Sequence, residues 1–167
     1  MGGPAQVDAT EEGPTAQAVR IASSADAQVV GQLLHDFNSE FDEPTPGPDR
    51  LAERIRRMLA AGDTAVLLGG TGPDAVAVLR FRVAIWSDAL ECYLAELYVA
   101  PQRRGRGLGR AMLLTAMEVA RARGADHMDL GTSEDDIAAR FLYESLGFIN
   151  REGGPDGPVT FFYERDL

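Results

Sequence analysis

The sequence predicts one domain of the mixed α/β (α+β) class, with a central sheet of about six to seven strands flanked by about four helices. A chain of 167 residues is long enough for one full hydrophobic core and short for two. Residues 75–86 alternate in the manner of a long strand, and 92–99 form the next strand. Apolar residues recur at three- and four-residue intervals over 108–123, as in helices. Since strands and helices do not alternate strictly, the pattern differs from that of a doubly wound sheet.

Each element has a local signal. Residues 1–16 are small and polar and are predicted to be a disordered tail, so that the domain covers 17–167. Three prolines within 42–48 indicate a loop between the first two helices, and Gly62 and Gly124 suit helix ends. The predicted strands are 19–21, 64–68, 75–86, 92–99, 127–130, 148–151 and 159–164, and the predicted helices are 24–37, 49–61, 108–123 and 137–146.

Composition excludes several classes of chemistry. All 16 basic residues are arginine, so a P-loop lysine and a pyridoxal phosphate Schiff base are both impossible. The two histidines, His35 and His127, lack the spacing of a zinc site, and Cys92 is the only cysteine. We therefore expect no metal site and no internal disulfide, and a cytoplasmic location.

The charge distribution points to a small anionic ligand. A net charge of −10 argues against nucleic acid, and no apolar run is long enough for a membrane span. Residues 103–110 nevertheless contain four arginines and no acid, whereas 36–53 is strongly acidic. A basic island in an acidic chain is typical of a site for a compact polyanion.

That island lies at a junction between a strand and a helix. The strand ending at Val99 meets Pro101, and glycines at 105, 107 and 109 precede the next helix. Glycines let backbone N–H groups approach a ligand closely, and a helix N-terminus adds unpaired donors. The spacing differs from the G-x-G-x-x-G of a dinucleotide site. The junction therefore predicts a pyrophosphate-binding loop, with the arginines in support.

Two motifs in this order resemble those of the GCN5-related N-acetyltransferase (GNAT) family. Residues 104–109, Arg-Gly-Arg-Gly-Leu-Gly, resemble the acyl-CoA motif R/Q-x-x-G-x-G/A, and residues 139–148, ARFLYESLGF, resemble the segment A-x-x-L-Y-E-x-x-G-F. The resemblance covers roughly 150 residues. It implies the GNAT fold, acetyl-CoA as cosubstrate, and a splay between the two central parallel strands, those ending at Val99 and at about 131.

The resemblance also implies roles for individual residues. The backbone of the strand ending at Val99 would bind the pantetheine arm of coenzyme A, and the amides of residues 104–109 would bind its pyrophosphate. Asp136 stands where the family often has an asparagine, and helix capping is the simpler interpretation for it. The expected cofactor-binding residues are Leu97, Tyr98, Val99, Arg104, Gly105, Arg106, Gly107, Leu108, Gly109, Arg110, Asp136 and Arg140.

The expected catalytic residues are Tyr143 and Glu96. By resemblance, Tyr143 protonates the departing thiolate, the alternative being simple packing of its helix. Glu96 is the first candidate for the base that deprotonates the amine, with Glu91 and His35 as weaker choices, or it binds the acceptor ammonium. Strand alternation places Glu96 on one face with Leu94 and Tyr98. Cys92 is expected to be a buried apolar residue rather than a nucleophile.

These expectations combine into a predicted activity. The chain is expected to transfer an acetyl group from acetyl-CoA to the primary amine of a small, cationic acceptor by direct attack in a ternary complex. The alternatives are acetylation of a protein N-terminus or lysine, and a non-catalytic acyl-CoA-binding module. Residues 35–50 and 152–158 are the expected acceptor-binding segments. A homodimer through the last strands is left open.

Overall fold

The computed structural model describes residues 18–167. The tail predicted over 1–16 lies outside the described residues. The strands are β1 (Val19–Ile21), β2 (Thr64–Gly69), β3 (Ala75–Val83), β4 (Leu90–Val99) and β5 (Ala125–Leu130), and the helices are α1 (Ala27–Glu40), α2 (Pro48–Ala61), α3 (Leu108–Ala122) and α4 (Ile137–Ser145).

The five strands form one mixed sheet in the order β1-β2-β3-β4-β5. The first four are antiparallel neighbours, and β4 and β5 run parallel. A parallel pair needs a crossover, which α3 provides between β4 and β5. The mixed α/β class is therefore confirmed.

Two apolar clusters cover the two faces of the sheet. On one face, Val30 and Leu33 of α1 and Ile55 of α2 pack against alternate residues of β2 and β3. On the other, Met112 and Leu113 of α3 pack against the intervening strand residues, with parts of α4 alongside. Helices thus lie on both faces, as the element order predicts.

The sheet has fewer strands than the sequence predicts. Residues 148–151 and 159–164 were expected to be strands, but within the described chain they form only one isolated bridge, between Arg151 and Val159. The turn between them is closed by the bond from the Glu152 amide to the Pro158 carbonyl, 2.9 Å long. Beyond the bridge no strand within residues 18–167 adjoins this segment, and Phe161, Phe162 and Tyr163 are largely exposed. Strand-favouring residue types alone do not make a strand where the backbone lacks a partner.

The bounds of β3 and β4 also differ from expectation. β3 ends at Val83 rather than at 86, so that Trp86, which is 94% exposed, belongs to the following loop. β4 begins at Leu90 rather than at Cys92.

No helix within residues 18–167 has both the length and the apolar character that crossing a membrane requires.

Gly31 allows α1 and α2 to pack closely. A Cβ on Gly31 would overlap the Pro48 carbonyl oxygen and lie 2.8 Å from the Ala52 amide nitrogen. We expect Gly31→Ala to lower the free energy of unfolding by about 2 kcal/mol, because backbone atoms on α2 must move. Chemical denaturation measures it, with Gly72→Ala, whose Cβ would meet open space, as control. Equal stabilities of the two variants would contradict the close packing.

Candidate active site

The sheet opens between β4 and β5. The two strands pair from Leu90 with Ala125 to Leu94 with Leu130, where β5 ends. β4 continues to Val99, and its residues 95–99 have a strand partner only on the β3 side. The predicted splay is therefore present. An extended ligand can hydrogen-bond to such an unpaired strand edge as an additional strand would.

A cleft of about 750 Å³ occupies this opening. Its walls come from the end of α1, from β4, from the loop leading into α3 and from α4. Fifteen of the residues that line it are Phe37, Glu40, Phe41, Leu94, Ala95, Glu96, Leu97, Tyr98, Val99, Arg104, Gly105, Gly109, Asp135, Asp136 and Tyr143. The cleft therefore contains both residues predicted to be catalytic.

A β-bulge at Ala95 sets the direction of the β4 side chains. Val78 lies opposite Glu96 and Leu79 lies opposite Leu94, so that Ala95 is an extra residue. Tyr98 packs with Val78 on the face covered by α1 and α2, while Leu94 packs with Leu79 on the α3 face. The expectation that Leu94 shares a face with Glu96 and Tyr98 is wrong, because the bulge breaks the alternation between them.

The loop of residues 100–107 and the start of α3 expose backbone donors. Gly105 and Gly107 have φ angles of +71° and +84°, which side chains disfavour. α3 begins at Leu108, and its N-cap, Gly107, provides no side-chain acceptor. The first amides of α3 are thus left for a ligand, and a helix N-terminus favours an anion.

Three arginines near the loop make contacts within the protein. The Arg103 guanidinium lies 3.1 Å from Asp74, and Arg110 donates to the Ser145 hydroxyl at 3.1 Å. Arg140, on α4, donates to the Glu134 carbonyl at 2.8 Å.

Arg104 joins the loop of residues 100–107 to the end of α1. Its two Nη atoms donate to the two carboxylate oxygens of Glu40 at 2.7 and 2.8 Å, and its Nε donates to the Val99 carbonyl at 2.8 Å. Its guanidinium also lies over the Tyr98 ring, 5.8 Å from the centroid. This forked pair fixes the end of α1 beside the end of β4. Sequence reasoning missed it, because Glu40 and Arg104 are 64 residues apart and no local pattern links them.

Gly105 offers a test of the loop. Gly105 and Gly124 both have positive φ and both would place a Cβ in open space. Alanine at either position should cost similar stability, about 1 kcal/mol. Only Gly105→Ala should also weaken acetyl-CoA binding, about tenfold, because only Gly105 lines the cleft. Isothermal titration measures this, and equal affinities of the two variants would contradict the role of the loop.

Tyr143 lies on α4 with its side chain in the cleft. Burial, and then the nearby charge of Asp136, raise the pKa of the Tyr143 phenol above its usual value. The ring also packs edge-on to Phe148, with the centroids 6.0 Å apart. Asp136 caps α4 by accepting from the Ala139 amide at 3.0 Å, which is the interpretation that the sequence favoured. The phenol therefore stays protonated through the neutral pH range.

Glu96 is the carboxylate that the structure brings into the cleft. Burial raises its pKa, and within residues 18–167 no hydrogen-bond donor reaches it. Glu91 is instead ion-paired with Arg82 at 2.6 Å, and His35 hydrogen-bonds the Thr45 hydroxyl at 3.1 Å. Neither of those two lines the cleft. A desolvated carboxylate is a stronger base than one in water, so that Glu96 suits proton transfer.

Cys92 takes no part in this arrangement. Its side chain is fully buried, and burial raises the pKa of the thiol to about 11. Since the thiolate is the reactive form, Cys92 is a packing residue, as the sequence predicts. Among residues 18–167, no three His, Cys, Asp or Glu side chains are grouped to hold a metal ion.

Comparison with known proteins identifies relatives of this arrangement. A crystal structure from Arthrobacter sp. FB24, of a protein assigned as an acetyltransferase, is 41% identical with a TM-score of 0.83, covering 94% of this chain and all of that one. The streptothricin acetyltransferase of Streptomyces lavendulae is 28% identical over 86% of this chain and 67% of its own length. The mycothiol acetyltransferase of Beutenbergia cavernae is 40% identical over 39% of this chain.

The match to the mycothiol acetyltransferase spans only 23% of that relative's length. A low-identity structure, an aminoglycoside acetyltransferase from a soil metagenomic sample, is 14% identical with a TM-score of 0.71 and supports the fold alone. The model of the acetyltransferase (GNAT) family matches residues 30–148, which include the open strand pair, the glycine loop and α4. The chain therefore belongs to the acetyltransferase (GNAT) family.

Proposed function

We propose that this protein transfers an acetyl group from acetyl-CoA to a primary amine of a small molecule, by direct attack in a ternary complex. One observation carries the proposal: the cleft passes through the gap in the sheet, with Glu96 on the α1 side and Tyr143 on the α4 side. An amine arriving from one side and a thiolate leaving on the other would each meet the proton-transfer group it needs.

The donor half of the cleft suits coenzyme A. The open edge of β4 at residues 95–99 would bind the pantetheine arm, and the first amides of α3 would bind the pyrophosphate. Acetyl-CoA supplies the acetyl group as a thioester. The free amides along β4 polarise a carbonyl held there, which stabilises the oxyanion that forms on attack.

The acid and base complete the reaction. Glu96 accepts a proton from the acceptor ammonium, and the neutral amine then forms the new C–N bond. As the C–S bond breaks, Tyr143 donates its phenolic proton to the departing sulfur. The newly bonded nitrogen then gives its second proton to the Tyr143 phenolate, which restores the phenol and leaves the neutral amide, and the Glu96 proton returns to solvent. Since burial keeps the Cys92 thiol protonated and away from the cleft, the transfer does not pass through an acyl-enzyme.

The surroundings support a small acceptor. Two relatives are named for transfer to small molecules, mycothiol and streptothricin acetyltransferases. A cleft of about 750 Å³ that is shared with coenzyme A leaves limited room beside the thioester. A single, buried cysteine is in keeping with a reducing compartment, and we place the reaction in the cytoplasm.

Thermal stability with acetyl-CoA, dephospho-CoA and NADH in parallel tests the donor site. A ligand at a hundred times its dissociation constant adds about 2.7 kcal/mol, which raises the melting temperature by several degrees. We expect a clear shift with acetyl-CoA and none with NADH. The absence of any shift with acetyl-CoA at high concentration would contradict the proposal.

We further propose a homodimer formed through the outer edge of β5. β5 is the last strand of the sheet, and beside it a groove of about 210 Å³ is lined by Met117, Met128 and Phe148. The exposed rings of Phe161 and Phe162 supply the apolar surface that such a groove in a second copy would bury. Light scattering should give a dimer for the native chain and a monomer for Phe161→Ser/Phe162→Ser. A native monomer would contradict the dimer and leave the transfer reaction untouched.

A further inference from the structure

Three aromatic rings form a continuous wall on the α1 side of the cleft. Phe37 stacks on Tyr98 with their centroids 5.1 Å apart, and Phe41 meets Phe37 edge-on at 5.6 Å. Tyr98 is 5% exposed and supports the wall from beneath, whereas Phe41 is 58% exposed at the mouth. We call Phe37, Phe41 and Tyr98 the aromatic wall. Its outer ring is largely uncovered, so it can accept an apolar group.

The α1 side of the cleft carries less uncompensated negative charge than its two acidic residues suggest. Glu40 and Glu96 are the carboxylates that line the α1 side of the cleft. The Glu40 carboxylate is neutralised by the forked pair with Arg104, whose guanidinium also lies over Tyr98. Glu96 has no cationic partner within residues 18–167. The acceptor side therefore offers one uncompensated carboxylate, which suits one cationic nitrogen.

We infer that the acceptor is a monocationic primary amine carried on an apolar group, preferably an arylalkylamine. The inference rests on the proposed transfer reaction and narrows its acceptor. The ammonium lies at Glu96 and its apolar body lies against Phe41 and Phe37, where burial of carbon surface favours binding. A polyhydroxylated amino sugar would leave hydroxyl groups against the rings without partners. A polyamine would bring a second charge to the α1 side of the cleft, where Glu40 is already paired with Arg104.

One of the three rings is placed to set the specificity for the acceptor amine. Tyr98 and Phe37 are packed together and their replacement would disturb α1. Phe41 follows α1 and is the most exposed of the three rings, so its replacement alters the wall without altering the core. The aromatic wall is thus expected to select the acceptor chiefly through Phe41.

The test is an acceptor panel, measured as thiol release from acetyl-CoA and confirmed by mass spectrometry of the products. The panel contains 2-phenylethylamine, ethylamine, glucosamine and spermidine. We expect 2-phenylethylamine to have the highest kcat/KM, about tenfold or more above ethylamine. Phe41→Ala should remove about tenfold from kcat/KM for 2-phenylethylamine, mostly through KM, and leave ethylamine unchanged. Phe41→Leu should retain part of the preference, and Trp86→Ala, which removes an exposed ring that does not line the cleft, should leave it unchanged.

The outcomes separate the two proposals. Turnover that favours glucosamine or spermidine, or a preference for 2-phenylethylamine that survives Phe41→Ala, would overturn the inference while the transfer reaction stands. If no amine in the panel is acetylated although acetyl-CoA stabilises the protein, both the inference and the proposed transferase function are overturned.

Discussion

Replacing Tyr143 by phenylalanine is expected to lower kcat by at least about a hundredfold and to leave acetyl-CoA binding unchanged. General acid catalysis contributes typically ~10²- to 10⁴-fold, and the substitution removes the phenolic proton while it keeps the ring. The ring maintains its packing on Phe148. The measurement is steady-state thiol release with an accepted amine, alongside isothermal titration of acetyl-CoA.

Tyr163→Phe is the matched control, since Tyr163 is 87% exposed and does not line the cleft. Because burial raises the pKa of Tyr143, the native enzyme should not lose activity through this group near pH 8. Equal turnover of Tyr143→Phe and the native chain would remove Tyr143 from the mechanism. A parallel loss of acetyl-CoA affinity would indicate a packing role instead.

Replacing Glu96 by glutamine is expected to change activity and stability in opposite directions. Turnover at neutral pH should fall by about a hundredfold, because the amine loses its proton acceptor. Stability at pH 7 should rise, because the native state no longer holds a desolvated charge that lacks a partner. Glu118→Gln, at an exposed position on α3, is the control that should change neither quantity.

The stability difference has a defined pH dependence. The native pKa of Glu96 lies above the unfolded value, so the folded state holds the proton more tightly than the unfolded state. Stability from this group is fully present below the unfolded pKa and is lost as the pH rises through the folded pKa. Glutamine should therefore stabilise the protein above that window and give no advantage near pH 4. Denaturation midpoints at pH 4 and pH 7 measure it, and a destabilised Glu96→Gln at pH 7 would contradict it.

The parts of the fold that the sequence predicts are those with local causes. The extents of α2 and α3 follow from apolar spacing and from the glycines that flank them. The glycine loop before α3 follows from residue types that allow positive φ. The open edge of β4 was expected from a family resemblance, and the register between β4 and β5 agrees with it.

The missed features arise from contacts across the chain. The bulge at Ala95 depends on how β3 pairs with β4, and alternation counted along β4 cannot detect it. The pair between Glu40 and Arg104 joins elements that are distant in sequence. The sequence shows that both residues are charged, but it does not indicate that they form a pair. The segment 159–164 is rich in β-branched and aromatic residues, as strands are, but has no adjoining strand within the described residues. In each case the partner, and not the local pattern, decides the structure.

The most direct measurement of the central claim is acetyl transfer itself, with thiol release and acetylated amine quantified in the same reaction. The account predicts one thiol released for each N-acetyl product, a requirement for the amine, and loss of both signals in Tyr143→Phe. It also predicts that acetyl-CoA alone leaves the mass of the protein unchanged. Acetylated protein formed without amine, or no acetylated amine from any primary amine tested, would contradict direct transfer in this cleft.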